Sequence, residues 1–193
     1  MKSLETLLIK TSRTFSLAIT LLPPSLRHQV TVAYLLFRIA DTLEDCALWP
    51  ARMGVEALED FARAIEAGDL AQIELLARRW TARPPVDHAG YVELLREARF
   101  VCERLEVLPP PAREVIRAHL LRTTRGMADF VAASEATGSV QLESLEDLSR
   151  YCYVVAGVVG EMLTELALLH APQLASVEDE LRSRAARFGE ALQ

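Results

Sequence analysis

In the stretch VAYLLFRIADTLEDC, Val32 to Cys46, a tyrosine, an arginine and three carboxylates interrupt an otherwise apolar run. With Tyr34 set at zero and about 100° added per residue, Arg38 falls near 40°, Asp41 near −20° and Asp45 near 20°. These residues make one narrow stripe along a helix, with Glu44 about 80° to one side and within reach of both aspartates. Val32, Leu35, Leu36, Phe37, Ile39, Ala40 and Leu43 fill the remaining faces. One reading is an amphipathic helix with a thin wet face and an Arg38–Asp41 or Arg38–Asp45 ion pair. A solvent face, however, carries lysines and glutamates across a wider arc. Carboxylates at this spacing repel one another unless a cation sits between them. Such oxygen clusters suit Mg²⁺, which keeps several waters and bridges protein carboxylates to phosphates. An arginine one turn away offers the same phosphates a fork of donors. The stripe points to a site for diphosphate with magnesium, facing a protein interior.

The elements that must hold this stripe are helices. Pro23-Pro24, Pro84-Pro85, Pro109-Pro110-Pro111 and Pro172 separate segments of helical periodicity. The pattern predicts a helix over Ser3–Thr11, an irregular stretch at SRTF, a helical piece to Leu22, and a helix to about Cys46 with Ser25 as N-cap. Further helices are expected at Ala51–Ala67, Leu70–Trp80, Tyr91–Leu105, Ala112–Ser134, Leu145–His170 and from Val177 onward. Ser144 and Asp147 have the spacing of a capping box. No run alternates with period two for long enough to be a strand, so the expected class is all-α, in one domain.

Composition narrows the function classes. Of 193 residues, 51% are hydrophobic, and the net charge of −6 argues against a nucleic-acid partner. Cys46, Cys102 and Cys152 lack metal-ligand spacing and fit packing roles in a reducing compartment. The N-terminal apolar run, broken by Glu5, is too short for a secretory signal. The greasiest stretch, YCYVVAGVVGEMLTELALL, carries Glu161 and Glu165, which a membrane span tolerates poorly. A cytoplasmic protein with peripheral membrane contact is expected. His28, His88, His119 and His170 show no ligand spacing, and RRWTAR reads as a solvated helix end.

Three stretches, TSRTFSLAITLLP, AYLLFRIADTLED and YCYVVAGVVGEMLTELA, with RGMADF as a weaker fourth, resemble the squalene/phytoene synthases in family order. These are head-to-head prenyltransferases of the class I terpenoid-synthase fold. The resemblance implies that Asp41 and Asp45, with Glu44 in support, hold Mg²⁺ on a substrate diphosphate. It implies diphosphate contacts from Ser12, Arg13, Thr14 and Arg38, and places Tyr34 and Tyr151 at the reacting carbons. Gly157 and Gly160 leave room for a prenyl tail or a neighbouring helix. Taken singly, Ser12 reads as a cap, Tyr151 as a core residue and the glycines as close packing.

The implied reaction joins two farnesyl diphosphates through a cyclopropyl intermediate. DTLED leans towards squalene synthases, with NADPH as the reductant of that branch; the alternative is a phytoene synthase using geranylgeranyl diphosphate. The family's second aspartate-rich motif follows a glycine-x-x-leucine-glutamine run, of which FGEALQ supplies Gly189, Leu192 and Gln193, the last a substrate-binding candidate. The final helical pattern stops without a cap, so the chain reads as the N-terminal part of such a domain. A binding-only fragment, self-association and a C-terminal partner chain are the expectations that follow.

Overall fold

The computed structural model describes residues 3–12, 14–133, 142 and 144–191. Among these residues the secondary structure is helical, with no strand, as the sequence predicts. In chain order the helices are α1 (Leu4–Thr11), α2 (Thr14–Thr20), α3 (Pro24–Glu44), α4 (Ala51–Ala67), α5 (Leu70–Ala82) and α6 (Ala89–Arg96). They continue with α7 (Ala98–Glu106), α8 (Pro110–Ala133), α9 (Leu145–Cys152), α10 (Val158–His170) and α11 (Glu178–Glu190).

Local chemistry accounts for most boundaries. Ser3 and Asp69 accept the backbone N–H of Thr6 and Gln72, capping α1 and α5. The Ser144–Asp147 capping box forms as expected. Gly68 ends α4 in the left-handed region, at φ 63°, where a side chain would be strained. The expected Ser25 cap does not form. Pro23 is the N-cap and Pro24 opens α3, because its fixed φ already suits a first helical turn. The Ser25 hydroxyl instead lies 3.4 Å from Nδ1 of His170. The segment expected as one helix over Tyr91–Leu105 is broken at Glu97 into α6 and α7. Leu145–His170 is also interrupted: Tyr153–Gly157 forms a π-helical turn between α9 and α10.

α3 runs through the centre, packed against α1, α4, α6, α7, α8 and α10. Val32, Ala33, Leu35, Leu36, Ile39, Ala40 and Leu43 are fully buried, so nearly every face except the polar stripe is core. Each large side chain buried this way contributes about 1.5–3 kcal/mol. Trp80, inside the arginine-rich run of α5, is also core and meets Phe61 edge-on with centroids 6.0 Å apart. The surrounding arginines remain outside, where Arg78 pairs with Glu74 and Arg79 with Glu56 and Asp60.

α10 and α11 approach so closely that glycine is required. A Cβ on Gly160 would overlap the carbonyl oxygen of Ala185 and lie 2.9 Å from the Gly189 nitrogen. A Cβ on Gly189 would overlap the carbonyl oxygen of Ala156. Of the two uses foreseen for Gly160, the neighbouring helix is therefore the one observed. The 26-residue segment Leu145–His170 is long and apolar enough to cross a membrane by length and composition, though about a third of its most apolar window is buried inside the protein. The two carboxylates of its C-terminal half are paired: Glu161 with Arg122 and Tyr153, Glu165 with Arg182 and, at 3.7 Å, His119.

Candidate diphosphate site

The stripe on α3 forms as its spacing predicts, and its C-terminal end coincides with the end of the helix. Asp45 is the C-cap, its N–H donating to the Asp41 carbonyl. Carboxylates here sit beside the negative end of the helix dipole, which further disfavours their ionised form. Burial raises the Asp41 carboxyl to about 6, with Asp45 adding to the shift and Arg38 opposing it. Burial likewise raises Glu44 to about 8, helped by the charges of Asp41 and Asp45. Asp45 is also raised by burial. Oε1 of Glu44 is buried without a hydrogen-bond partner.

Arg38 supplies the positive charge. Its Nη1 lies 3.3 Å from Oδ2 of Asp41, and its Nη2 donates to the Tyr34 hydroxyl at 3.2 Å. The Tyr34 hydroxyl donates in turn to the Thr11 carbonyl at 3.3 Å, tying the end of α1 to the stripe. Phe15 of α2 packs on the Tyr34 ring, 5.9 Å between centroids. Ser12 accepts the Phe15 N–H at 3.0 Å and so acts as a cap in this structure, while Thr14 is the exposed first residue of α2. Arg13 and Gln193, both expected to bind substrate, lie outside the described residues.

From the facing segment, Tyr151 on α9 interacts with Glu44, and burial followed by that carboxylate raises its hydroxyl pKa. Phe130, from the RGMADF stretch, meets the Tyr151 ring edge-on at 5.2 Å. Arg125 of that stretch points elsewhere, to Glu66 at 2.7 Å. One participant had no sequence signal. Tyr91 of α6 places its ring 5.4 Å from the Arg38 guanidinium carbon, and only tertiary packing brings the two together. A cavity of about 190 Å³ between α10 and α11 is lined by Glu161, Thr164, Glu165, Arg182 and Ala185, none of them stripe residues.

The donor chemistry fits a hard divalent cation: three oxygen-bearing side chains, two pushed well above the normal carboxylate range, one with an orphaned buried oxygen. Among the described residues, however, no group of three such side chains is already arranged to hold an ion. In the ligand-free chain, burial and the neighbouring aspartates therefore make Glu44 costly to ionise, and this has a measurable consequence. Because folding raises the Glu44 pKa, the native state binds the extra proton, and stability falls as pH rises towards about 8. Glu44→Gln removes that charge. In metal-free buffer it is expected to melt a few degrees above wild type at pH 8 and to lose most of the decline between pH 6 and 8. Identical melting profiles for the two proteins would contradict the assignment.

Residues 8–193 match the squalene/phytoene synthase family. The chain belongs to that family. The Botryococcus squalene synthase of Botryococcus braunii is 32% identical over 160 residues, covering 83% of this chain and 30% of that protein. The squalene synthase of Schizosaccharomyces pombe is 31% identical over 172 residues, covering 88% of this chain and 35% of its own length. Among solved structures, a complex of TcSQS with the ligand BPH1237 superposes with TM-score 0.77 at 26% identity, covering 97% of this chain and 49% of that one. The helical isoprenoid-synthase fold is thus shared, and the chain spans about a third of the length of these curated relatives.

Proposed function

We propose that this squalene/phytoene synthase family chain binds a prenyl diphosphate at the α3 stripe, as the diphosphate-activating side of a squalene synthase-like prenyltransferase that uses farnesyl diphosphate. The observation that carries this reading is the convergence of Arg38, Asp41 and Glu44 with Tyr34 and Tyr151, contributed by two facing segments. Squalene synthases among the curated relatives favour the farnesyl substrate.

Asp41, Glu44 and Asp45 would hold magnesium, which when bound supplies positive charge against a diphosphate leaving group. Arg38 offers donors to the same oxygens and keeps them oriented. The faces of Tyr34 and Tyr151 stabilise the allylic cation left after ionisation and keep water from it. The attacking double bond comes from a second prenyl diphosphate.

Calorimetric titration of farnesyl diphosphate with and without Mg²⁺ tests the proposal. Wild type and Glu74→Ala, a change in an exposed pair with Arg78, are expected to bind in a magnesium-dependent way. Asp41→Ala is expected to bind at least about tenfold more weakly, as fits loss of a charge-assisted contact. Equal binding by both variants would defeat the site assignment. Tighter binding of geranylgeranyl diphosphate would shift the substrate to the phytoene branch.

A further inference from the structure

An arginine that must present its fork to an anion needs its long, rotamer-rich side chain held still, since ordering a free one on binding costs affinity. Two aromatic rings lie within cation–π distance of the Arg38 guanidinium: Tyr34, four residues earlier on α3, at 5.6 Å, and Tyr91, from α6, at 5.4 Å. Tyr91 is itself fixed. The His88 ring lies against it with centroids 4.0 Å apart, and Nδ1 of His88 accepts the Tyr91 backbone N–H at 3.3 Å.

The same helical turn anchors the end of α1. A Cβ on Gly90 would come within 2.6 Å of the Lys10 carbonyl oxygen, so the absence of a side chain there lets α1 rest on α6. The Lys10 ammonium bridges to Glu93 at 2.7 Å. Thr11, the next residue, receives the Tyr34 hydroxyl, which in turn receives Arg38. The contacts close a circuit from α6 to α1, to Tyr34, to Arg38 and back to Tyr91. Tyr91 is only half-buried and lies outside the apolar core cluster, so hydrophobic packing alone does not account for it.

We infer that Tyr91 is a positioning residue: its ring face, held by His88 and the α1–α6 contact, locks the Arg38 guanidinium in the orientation that receives a diphosphate. The role rests on the proposed function only for the identity of the anion.

Two readouts separate the possibilities. In the ligand-free protein, the Arg38 Nε–H resonance is followed by ¹⁵N-edited NMR. Tyr91→Leu is expected to move it through loss of the ring current, and Tyr91→Phe to leave it in place. Calorimetry with inorganic diphosphate and Mg²⁺ is expected to show Tyr91→Leu weakened about three- to tenfold, in line with one cation–π contact, and Tyr91→Phe unchanged. A purely structural role would lower the melting midpoint of Tyr91→Leu but leave the affinity of the folded protein intact, which would overturn the inference. So would an unmoved Arg38 resonance. If wild type fails to bind diphosphate while the resonance responds as expected, the anion reading falls and the positioning of Arg38 stands. Should Tyr91→Leu not fold, Tyr91→Gln, a polar residue at a half-exposed site, takes its place with the same expectations.

Discussion

Gly160→Ala is expected to lower the melting midpoint by roughly 4–8 °C, against the usual benefit of replacing a helical glycine. In an isolated helix the change would favour folding by about 1 kcal/mol. Here the added methyl meets the Ala185 carbonyl oxygen and the Gly189 nitrogen, both backbone atoms that no rotamer change can move. α10 and α11 must separate, and overpacking of this kind costs about 3 kcal/mol at the upper end of the usual range. The net loss of about 2 kcal/mol converts to the stated shift for a chain of this size. Gly126→Ala is the control. Its methyl would meet both Cγ atoms of the Val154 side chain, at 2.6 and 3.1 Å, and because a side chain yields more readily than backbone a smaller loss is expected than for Gly160→Ala. A Gly160→Ala midpoint equal to or above wild type, by circular dichroism, would show that the α10–α11 contact is looser than described.

Arg38→Leu is expected to weaken magnesium-dependent diphosphate binding on the order of 100-fold, with Arg38→Lys recovering little of it. The side chains of Arg38 and Asp41 are only 23% and 29% exposed, so their pair is not the screened surface kind whose loss goes unnoticed. Removing one partner of a desolvated charge pair costs about 2–5 kcal/mol, much of it the penalty on the group left behind. That group is Asp41, which burial already holds at about 6 and which Arg38 keeps from rising further. Lysine restores a charge but neither the fork nor the planar surface that lies against Tyr34 and Tyr91. Calorimetry with inorganic diphosphate at fixed Mg²⁺ decides the matter; wild-type affinity in Arg38→Leu would remove the arginine from the site.

What could be read from the sequence follows the range of the forces involved. The Tyr34–Asp45 stripe is a local fact of helical period, and it stands where the spacing puts it. The Ser144–Asp147 box and the proline-bounded helices are equally local, which is why they too were legible. Ser25 misled because proline at the first helical position outweighs a nearby serine. Tyr91 was invisible: its partner Arg38 is 53 positions away, and nothing in DHAGYVELL marks its ring as different from any other half-buried aromatic. The break at Glu97 and the wide turn at Tyr153–Gly157 were missed for the same reason. Both lie inside continuous helical patterns, and tertiary contacts such as the Thr123 hydroxyl donating to the Val154 carbonyl at 3.0 Å help hold the irregular geometry.

The wide turn matters beyond its five residues. In an unbroken α-helix, Tyr151 and Gly160 would be nine steps of about 100° apart and so on opposite sides. A single extra residue accommodated in the turn removes one step and brings them to about 80°, a quarter turn. The segment thus behaves as two keys cut at different angles on one shaft, one turned to the carboxylates of α3 and the other to the backbone of α11. Grafting the stretch into another bundle as a uniform ideal helix would seat one key and leave the other facing the wrong wall.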